Sequence, residues 1–327
     1  MKANVLASLL AAALSAGSAF AGEAPGQAYP VKPVRIVVGF TPGGGTDIIA
    51  REMAARMQES WGQSVLVENR PGAGGNIGTA FVAKSPPDGY TLLLCSDACA
   101  ASAALYSKLP YDQIRDFAPI TYIGSVTQIF VAHPSLPART MKEVVALAKA
   151  KPGQVTYATA GVGTSSHLAV ELFRLIAKID IAHIAYKGVP PVVQGLLGGE
   201  VAMAMASLPS AGLPNLVNSG RVRGLALTGS KRAKAVPQVP TMIESGFPGY
   251  DAPIWYGLLA PVGTPPDVVD KLNKEVIRVF NLPAVRDRMA ALDFEIALAS
   301  PADFGTYLKK AVSQWTRVVK EAGVKVE

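Results

Sequence analysis

The run Val34–Arg51, VRIVVGFTPGGGTDIIAR, constrains this chain more than any other stretch. It opens on a β-rich apolar segment, Val34–Val38, passes through Phe40, Thr41, Pro42, Gly43, Gly44 and Gly45, and then takes on a helical pattern. Thr46 or Asp47 can cap that helix, because a side-chain oxygen accepts one of the orphan N–H groups of a first turn. Strand, glycine loop and helix start together make a pocket of unpaired N–H donors at the positive end of a helix dipole, and such a pocket suits an anion. Three consecutive glycines let the backbone approach a ligand where a Cβ would stand in the way. Taken alone, the same run also fits an ordinary βα turn with glycine to spare.

It is not a nucleotide loop. A Walker A loop needs Lys followed by Ser or Thr after its last glycine, whereas Gly44 is followed by Gly45 and Thr46. The dinucleotide pattern G-x-G-x-x-G fits Gly43 and Gly45 but meets Ile48 at its third glycine.

The first residues read as an export signal. Lys2 supplies a positive start, Val5–Leu14 an apolar core, and Ala19, Phe20 and Ala21 an A-x-A cleavage site, so residues 1–21 are expected to leave before Gly22. That apolar run is too short to span a bilayer, and no cysteine near the cleavage site offers a lipid anchor. A soluble, periplasmic protein is expected. At 327 residues, with 50% hydrophobic and 17% charged residues, the chain favours two domains with real cores. The formal charge is +7, one unit of it Lys2, and the basic residues are scattered without aromatic interleaving. That makes nucleic acid a poor reading and a mild attraction for anionic solutes a better one. Cys95 and Cys99 are the whole cysteine supply. Export permits a disulfide, yet an i, i+4 helical pair has Cβ atoms about 5–6 Å apart, longer than a disulfide tolerates, and the question stays open.

Strand and helix signals alternate almost throughout, which makes this an α/β protein. A second strand at Ser64–Glu68 leads through Asn69–Asn76 to a helix near Ile77–Lys84, then to a strand at Tyr90–Leu94, an alanine-rich helix and a strand at Ile120–Ile123. After Gly124–Gln128 come Ile129–Ala132, a helix Met141–Ala150 and a strand Val155–Ala158. The loop Thr159–Ser166 again precedes an amphipathic helix, His167–Lys178. Strands at His183–Tyr186 and Val201–Ala206 flank a helix ending near Leu197. Following Leu225–Ser230 the pattern predicts a short helix Met242–Ser245, a strand Ile254–Leu259, and helices over Pro266–Phe280 and Pro301–Ala322. Two crossings between domains are therefore expected. Residues 22–126 and 228–327 form a discontinuous first domain, and 127–227 an inserted second one. Thr41–Asp47 then belongs to one half and Ala160–Ser166 to the other, each a small-residue loop at a helix start. Since ligands of open α/β sheets sit at the carboxyl ends of strands, such loops facing one another could each hold one end of a small anion.

YPVKPVRIVVGFTPGGGTDIIAR, VENRPGAGGNIGTAFVAKSPPDGYTLL, KLPYDQIRDFAPIT, IAYKGVPPVVQGLLGGEV and FPGYDAPIWYGLLAPVGTPPDVVDKLN occur in this order. Together they resemble the Bug, or TctC, family of periplasmic solute-binding components of tripartite tricarboxylate transporters, over essentially the whole mature chain. The resemblance implies an α/β, two-domain type II periplasmic-binding-protein fold, each domain a mixed sheet flanked by helices, with the ligand cleft between them. It implies capture of a small carboxylate by Phe40, Thr41, Gly43, Gly44, Gly45, Thr46 and Asp47 on one side and by Ala160, Gly161, Gly163, Thr164, Ser165 and Ser166 on the other. Ser96, Asp97, Gln128 and Gln194 complete the expected site. It implies a monomer without cofactor or metal, whose partners are the transporter's membrane subunits; a membrane sensor receiving the loaded protein is the alternative.

The sequence departs from the family at two places. Many relatives carry Asp where Gln194 stands, able to face the amine of an amino-acid ligand, so a neutral Gln194 turns the expectation toward a plain di- or aromatic carboxylate. Cys95-Ser96-Asp97-Ala98-Cys99 replaces a His-Ala-Ile-Asn-Pro run, and Asp97 would bring an unusual negative charge if it faced the cleft. Orientation toward solvent is the plainer expectation for it. Catalysis is not expected: Ser165, Ser166 and His167 resemble a nucleophile and base, but neighbours on a helix point in different directions and no G-x-S-x-G elbow surrounds them. His133 and His183 read as packed residues, and Trp255 and Tyr256 as core or cleft wall.

Overall fold

The computed structural model describes residues 29–106 and 108–326, so the expected signal peptide lies outside the described residues. Strand β1 (Val34–Val38) feeds helix α1 (Gly45–Trp61), followed by β2 (Val65–Asn69), α2 (Asn76–Ala83), β3 (Thr91–Ser96), α3 (Asp97–Leu105) and β4 (Phe117–Val126). The middle of the chain runs β5 (Gln128–Ala132), α4 (Met141–Ala150), β6 (Thr156–Thr159), α5 (Ser165–Ala177), β7 (Ala182–Ala185), α6 (Val189–Leu197), β8 (Met203–Ser207), α7 (Leu213–Asn218) and β9 (Arg223–Leu227). The last third is β10 (Ile254–Pro261), α8 (Pro266–Asn281), α9 (Pro283–Ala291), β11 (Phe294–Ile296) and α10 (Pro301–Ala322).

These strands make two mixed sheets, ordered β11-β4-β10-β3-β1-β2 and β7-β6-β8-β5-β9. In the first, β1 lies parallel between β2 and β3, while β10 runs antiparallel between β3 and β4. In the second, β6 is parallel to β7 and β8, and β5 is antiparallel to β8 and β9. The chain passes from the first sheet to the second between Val126 and Gln128 and returns after Leu227. Strand β1 reads VRIVV because it is interior to a sheet covered on both faces: Val34, Ile36, Val37 and Val38 are all fully buried. Helix α10 joins the two halves. Its Phe304 and Tyr307 pack on Tyr122 and Trp255 of the first sheet, and one continuous apolar core runs from Val37 and Leu93 through Trp255 and Trp315 to Phe130 and Phe173. Gly257 in β10 is dictated by that packing, since a Cβ there would enter the Phe304 ring.

Several segments differ from expectation, among them α7 and β9, which the pattern does not predict. Met242–Ser245 is a turn rather than a helix: Met242 N–H donates to the Leu227 carbonyl and Leu227 N–H to that of Pro240, which draws the segment out alongside β9. Helix α9 and strand β11 were not foreseen. The former is rich in charge, with Arg286, Asp287 and Arg288, and lacks an apolar stripe; the latter is three residues at a sheet edge. Cys95 and Cys99 are both free and buried.

Candidate functional site

The start of α1 is built from beneath. Gly44, not Thr46 or Asp47, is the N-cap, with extended backbone (φ −78°, ψ 169°) and no side-chain cap. Asp47 instead reaches back into the loop. Its Oδ2 accepts from Gly43 N–H and from Arg51 Nε, each at 2.9 Å, and its Oδ1 accepts from Asn69 Nδ2 at 2.9 Å. Asn69 also donates to the Phe40 carbonyl at 3.0 Å, tying the loop to the end of β2. Arg51 beside Asp47, with the Gly43 N–H and Asn69, holds this carboxyl down at about 2 although burial opposes it. Gly43 adopts φ +86°, a conformation that favours glycine. The N–H groups of the first turn, from Gly45 onward, have no intrahelical carbonyl to bond.

The start of α5 repeats the arrangement with different chemistry. Gly163, at φ +73°, donates its N–H to His167 Nδ1 at 3.0 Å. An acceptor at Nδ1 places the imidazole proton on Nε2, which faces Glu171 Oε1 at 3.6 Å. Burial pushes the His167 pKa down to about 3, helped by His183, whose ring stacks at 4.0 Å, and by Arg174. Glu171 is held by Arg174 Nη1 at 2.7 Å and by the Tyr157 hydroxyl. Unlike α1, this helix has a side-chain cap: Thr164 Oγ1 accepts from His167 N–H at 3.4 Å and donates to the Gly161 carbonyl at 2.8 Å.

Both starts open onto one cavity of about 410 Å³. From the α1 loop it receives Phe40, Thr41, Gly44, Gly45 and Thr46; from the α5 loop Gly163, Thr164 and Ser165; from the β3–α3 junction Ser96 and Asp97. No Lys, Arg or His lines it among the described residues. Tyr256 on β10 forms part of its wall, as half expected, and places its hydroxyl 2.7 Å from where a Gly45 Cβ would stand, so position 45 has no room for a side chain. Burial pushes the Tyr256 phenol up, leaving it a neutral hydrogen-bond donor. Asp97 corrects the expectation of a solvent-facing carboxylate: it is 3% exposed, lines the cavity, and opens helix α3. Burial pushes its pKa up to about 7 against the pull of the Ser165 hydroxyl and the N–H groups of Ala98 and Asp97 itself.

The remaining expected residues stand behind or away from this wall. Gly43 and Asp47 are engaged with each other inside the loop. Ser166 donates to Gln128 Oε1 at 2.7 Å, and Gln128 Nε2 donates to the Ala252 carbonyl at 3.0 Å, so this pair fastens α5 to the approach to β10. With Ser166 and His167 each committed elsewhere, they do not form a nucleophile and base. Ala160 and Gly161 shape the turn before Thr164, and Gly188 N–H donates to the Ala160 carbonyl at 3.1 Å. Gln194 is exposed on α6 and does not line the cavity. His183 is half-buried on the edge strand β7, its Nε2 2.7 Å from Thr159 Oγ1. Gly74, Ser102 and Ile254 line the cavity without having been singled out; Gly72-Ala73-Gly74-Gly75 before α2 repeats the small-residue helix start that marks the other two loops.

Residues 49–324 match the family described as tripartite tricarboxylate transporter family receptor, TctC. Protein BugT of Bordetella pertussis is 38% identical over 301 residues, spanning 91% of this chain and 92% of that protein. Among solved structures, R. palustris Rpa4515 with adipate is 33% identical with a TM-score of 0.76, over 91% of this chain and all of its own. MatC from Rhodopseudomonas palustris with bound malate is 31% identical with a TM-score of 0.72, over 89% of this chain and all of its own. The two mixed sheets, the glycine-loop helix starts and the match across most of the sequence agree: the chain belongs to the TctC, or Bug, family of periplasmic solute-binding proteins.

Proposed function

We propose that this protein is exported, captures a small carboxylate in the cavity between the starts of α1 and α5, and delivers it as a monomer to the membrane subunits of a tripartite tricarboxylate transporter. One observation carries the reading: two helix starts, each with a positive-φ glycine clamped from within, open on a single cavity whose described lining has no cationic side chain. An anion there would be held by backbone N–H groups, the helix dipoles and hydroxyls such as those of Thr41, Ser165 and Tyr256, as helix N-termini allow. The adipate and malate in two relatives support a carboxylate as the cargo class. Gly44, Gly45 and Thr46 supply the first contacts, and Gly163–Ser165 meets the ligand's other end when the halves close. Closure needs a ligand that favours the closed state, which a molecule bridging both loops does.

Mass spectrometry of ligand released from freshly purified protein, followed by a thermal-shift series of carboxylates, tests this. A ligand at about 100 times its dissociation constant stabilises the protein by roughly 2.7 kcal/mol, which thermal melting registers. Failure of every carboxylate to shift the melt overturns the reading. Intact-mass measurement of periplasmic protein is expected to find Gly22 at the N-terminus.

A further inference from the structure

Asp97 is an odd residue for an anion site. It sits on the cavity wall with no Lys or Arg beside it, and its Oδ1 is buried without a hydrogen-bond partner. Its surroundings are polar but uncharged: Ser165 hydrogen-bonds to it from α5, Tyr256 on β10 lines the same cavity, and Tyr307 on α10 and the Cys95 thiol on β3 lie within electrostatic reach. A buried carboxylate oxygen without a partner is costly, and the cost is relieved by a donor, most of all a cationic one. A dicarboxylate would bring two further negative charges into the same uncharged enclosure, and like charges at such range oppose one another. A solute with a carboxylate at one end and an ammonium at the other would meet both needs.

We propose that Asp97 is a specificity-determining residue that seats a protonated amine of the cargo, so that this protein takes amino-carboxylates in preference to the dicarboxylates named for its relatives. The inference rests on the reading that the carboxylate end is held at the start of α1. Gln194, the position from which an amine-facing acid was expected in relatives, is exposed and away from the cavity here, and Asp97 supplies the acid from a different element. Because burial keeps the Asp97 carboxyl near neutrality in the absence of ligand, affinity for an amine carries a pH signature. Amine binding tightens as pH rises through about 7 and Asp97 ionises, whereas a dicarboxylate weakens over the same interval.

Calorimetry on the full mature chain tests this with length-matched pairs: γ-aminobutyrate against succinate, δ-aminovalerate against glutarate, and ε-aminocaproate against adipate. At least one amino-carboxylate is expected to bind tenfold or more tightly than its dicarboxylate partner. Asp97→Asn, nearly isosteric, is expected to erase that margin by weakening the amine tenfold or more while leaving the dicarboxylate unchanged or tighter. The pH series on the wild type gives the same answer without any variant. Dicarboxylates binding more tightly throughout, or an Asp97→Asn protein that keeps its preference for the amine, would overturn the proposal while leaving carboxylate capture intact. Dicarboxylate affinity that falls in Asp97→Asn would identify Asp97 as a neutral donor and equally overturn it. If neither series binds while another carboxylate does, this proposal falls and carboxylate capture stands; if no carboxylate binds, both fall.

Discussion

Before α1 a carboxylate holds the positive-φ glycine, and before α5 an imidazole holds it, each from four residues further along the chain. The bond lengths, 2.9 and 3.0 Å, are almost the same, but the two clamps answer to pH differently. Asp47 is ionised, paired with Arg51 and placed in a helix's first turn, where negative charge is favourable. His167 can accept the Gly163 N–H only while neutral, and burial keeps it so. The caps differ as well. Thr164 takes up the His167 N–H at the start of α5, whereas Gly44 leaves the start of α1 without a side-chain cap. A shared backbone design thus presents more open donors on the first half, where an anion can dock first, and a more occupied, acid-sensitive surface on the second.

Acid gives the largest expected contrast. The folded-state pKa of His167 lies near 3, below its ordinary 6.5, so the unfolded chain binds the extra proton first. Stability from this residue is complete above about 6.5 and is lost as pH falls toward 3, a span worth on the order of 5 kcal/mol. Asp47 has the same sign but acts only between 3.8 and about 2. Thermal melting from pH 7 to 4 should therefore show a loss that His167→Asn, an acceptor that does not titrate, largely flattens. An unchanged profile in that variant breaks the comparison at its centre.

Binding gives the next. A Cβ at Gly44 would meet only the Thr41 carbonyl, 3.8 Å away, and its backbone suits any residue, so Gly44→Val should fold normally. Its isopropyl group then projects into the cavity and blocks approach to the α1 N–H groups, with an expected loss of affinity of about a hundredfold or more, roughly 2.7 kcal/mol. Calorimetry with whichever carboxylate binds the wild type checks it, and near-normal affinity would show that the α1 start does not hold the ligand.

Much of this arrangement was legible in the sequence where local chemistry decides the outcome. Ser300, Pro301 and Gly323 frame α10, and Met141–Ala150 follows directly from its apolar spacing; both helices lie where the pattern put them. The glycine loops announced two helix starts on one cavity, although the sequence could not show that Asp47 and Ser166 turn inward to hold the scaffold while their neighbours face the cavity. The burial of Asp97 was not legible, because a polar residue before an alanine-rich helix reads as a capping site on the surface. The packing of β10 and α10 against that junction encloses it.

Asp47→Asn separates the two clamps at smaller scale. The ion pair with Arg51 is lost, but Arg51 is half-exposed and water screens the pair, so the cost is about 1–2 kcal/mol rather than that of a buried bridge. The acid arm below pH 3.8 should vanish with it while the arm set by His167 persists. Chemical denaturation at pH 7 and pH 3 reads both effects, and a variant as stable as wild type would mean that Asn69 and the loop backbone hold Gly43 without the charge.

The smallest effects distinguish two adjacent serines. Ser166 is buried and bonded to Gln128 Oε1, so Ser166→Ala leaves that acceptor unpaired and costs stability, about 1 kcal/mol, with little effect on affinity. Ser165 lines the cavity opposite Asp97, so Ser165→Ala should weaken ligand binding severalfold with stability unchanged. The double variant combines the two losses. On the proposed closure of the α5 loop over a ligand that spans the cavity, the liganded double variant should also keep a larger radius of gyration than the liganded wild type in small-angle scattering. Equal radii together with equal affinities would mean that the α5 start is a spectator, leaving the loop before α1 to bind the ligand alone.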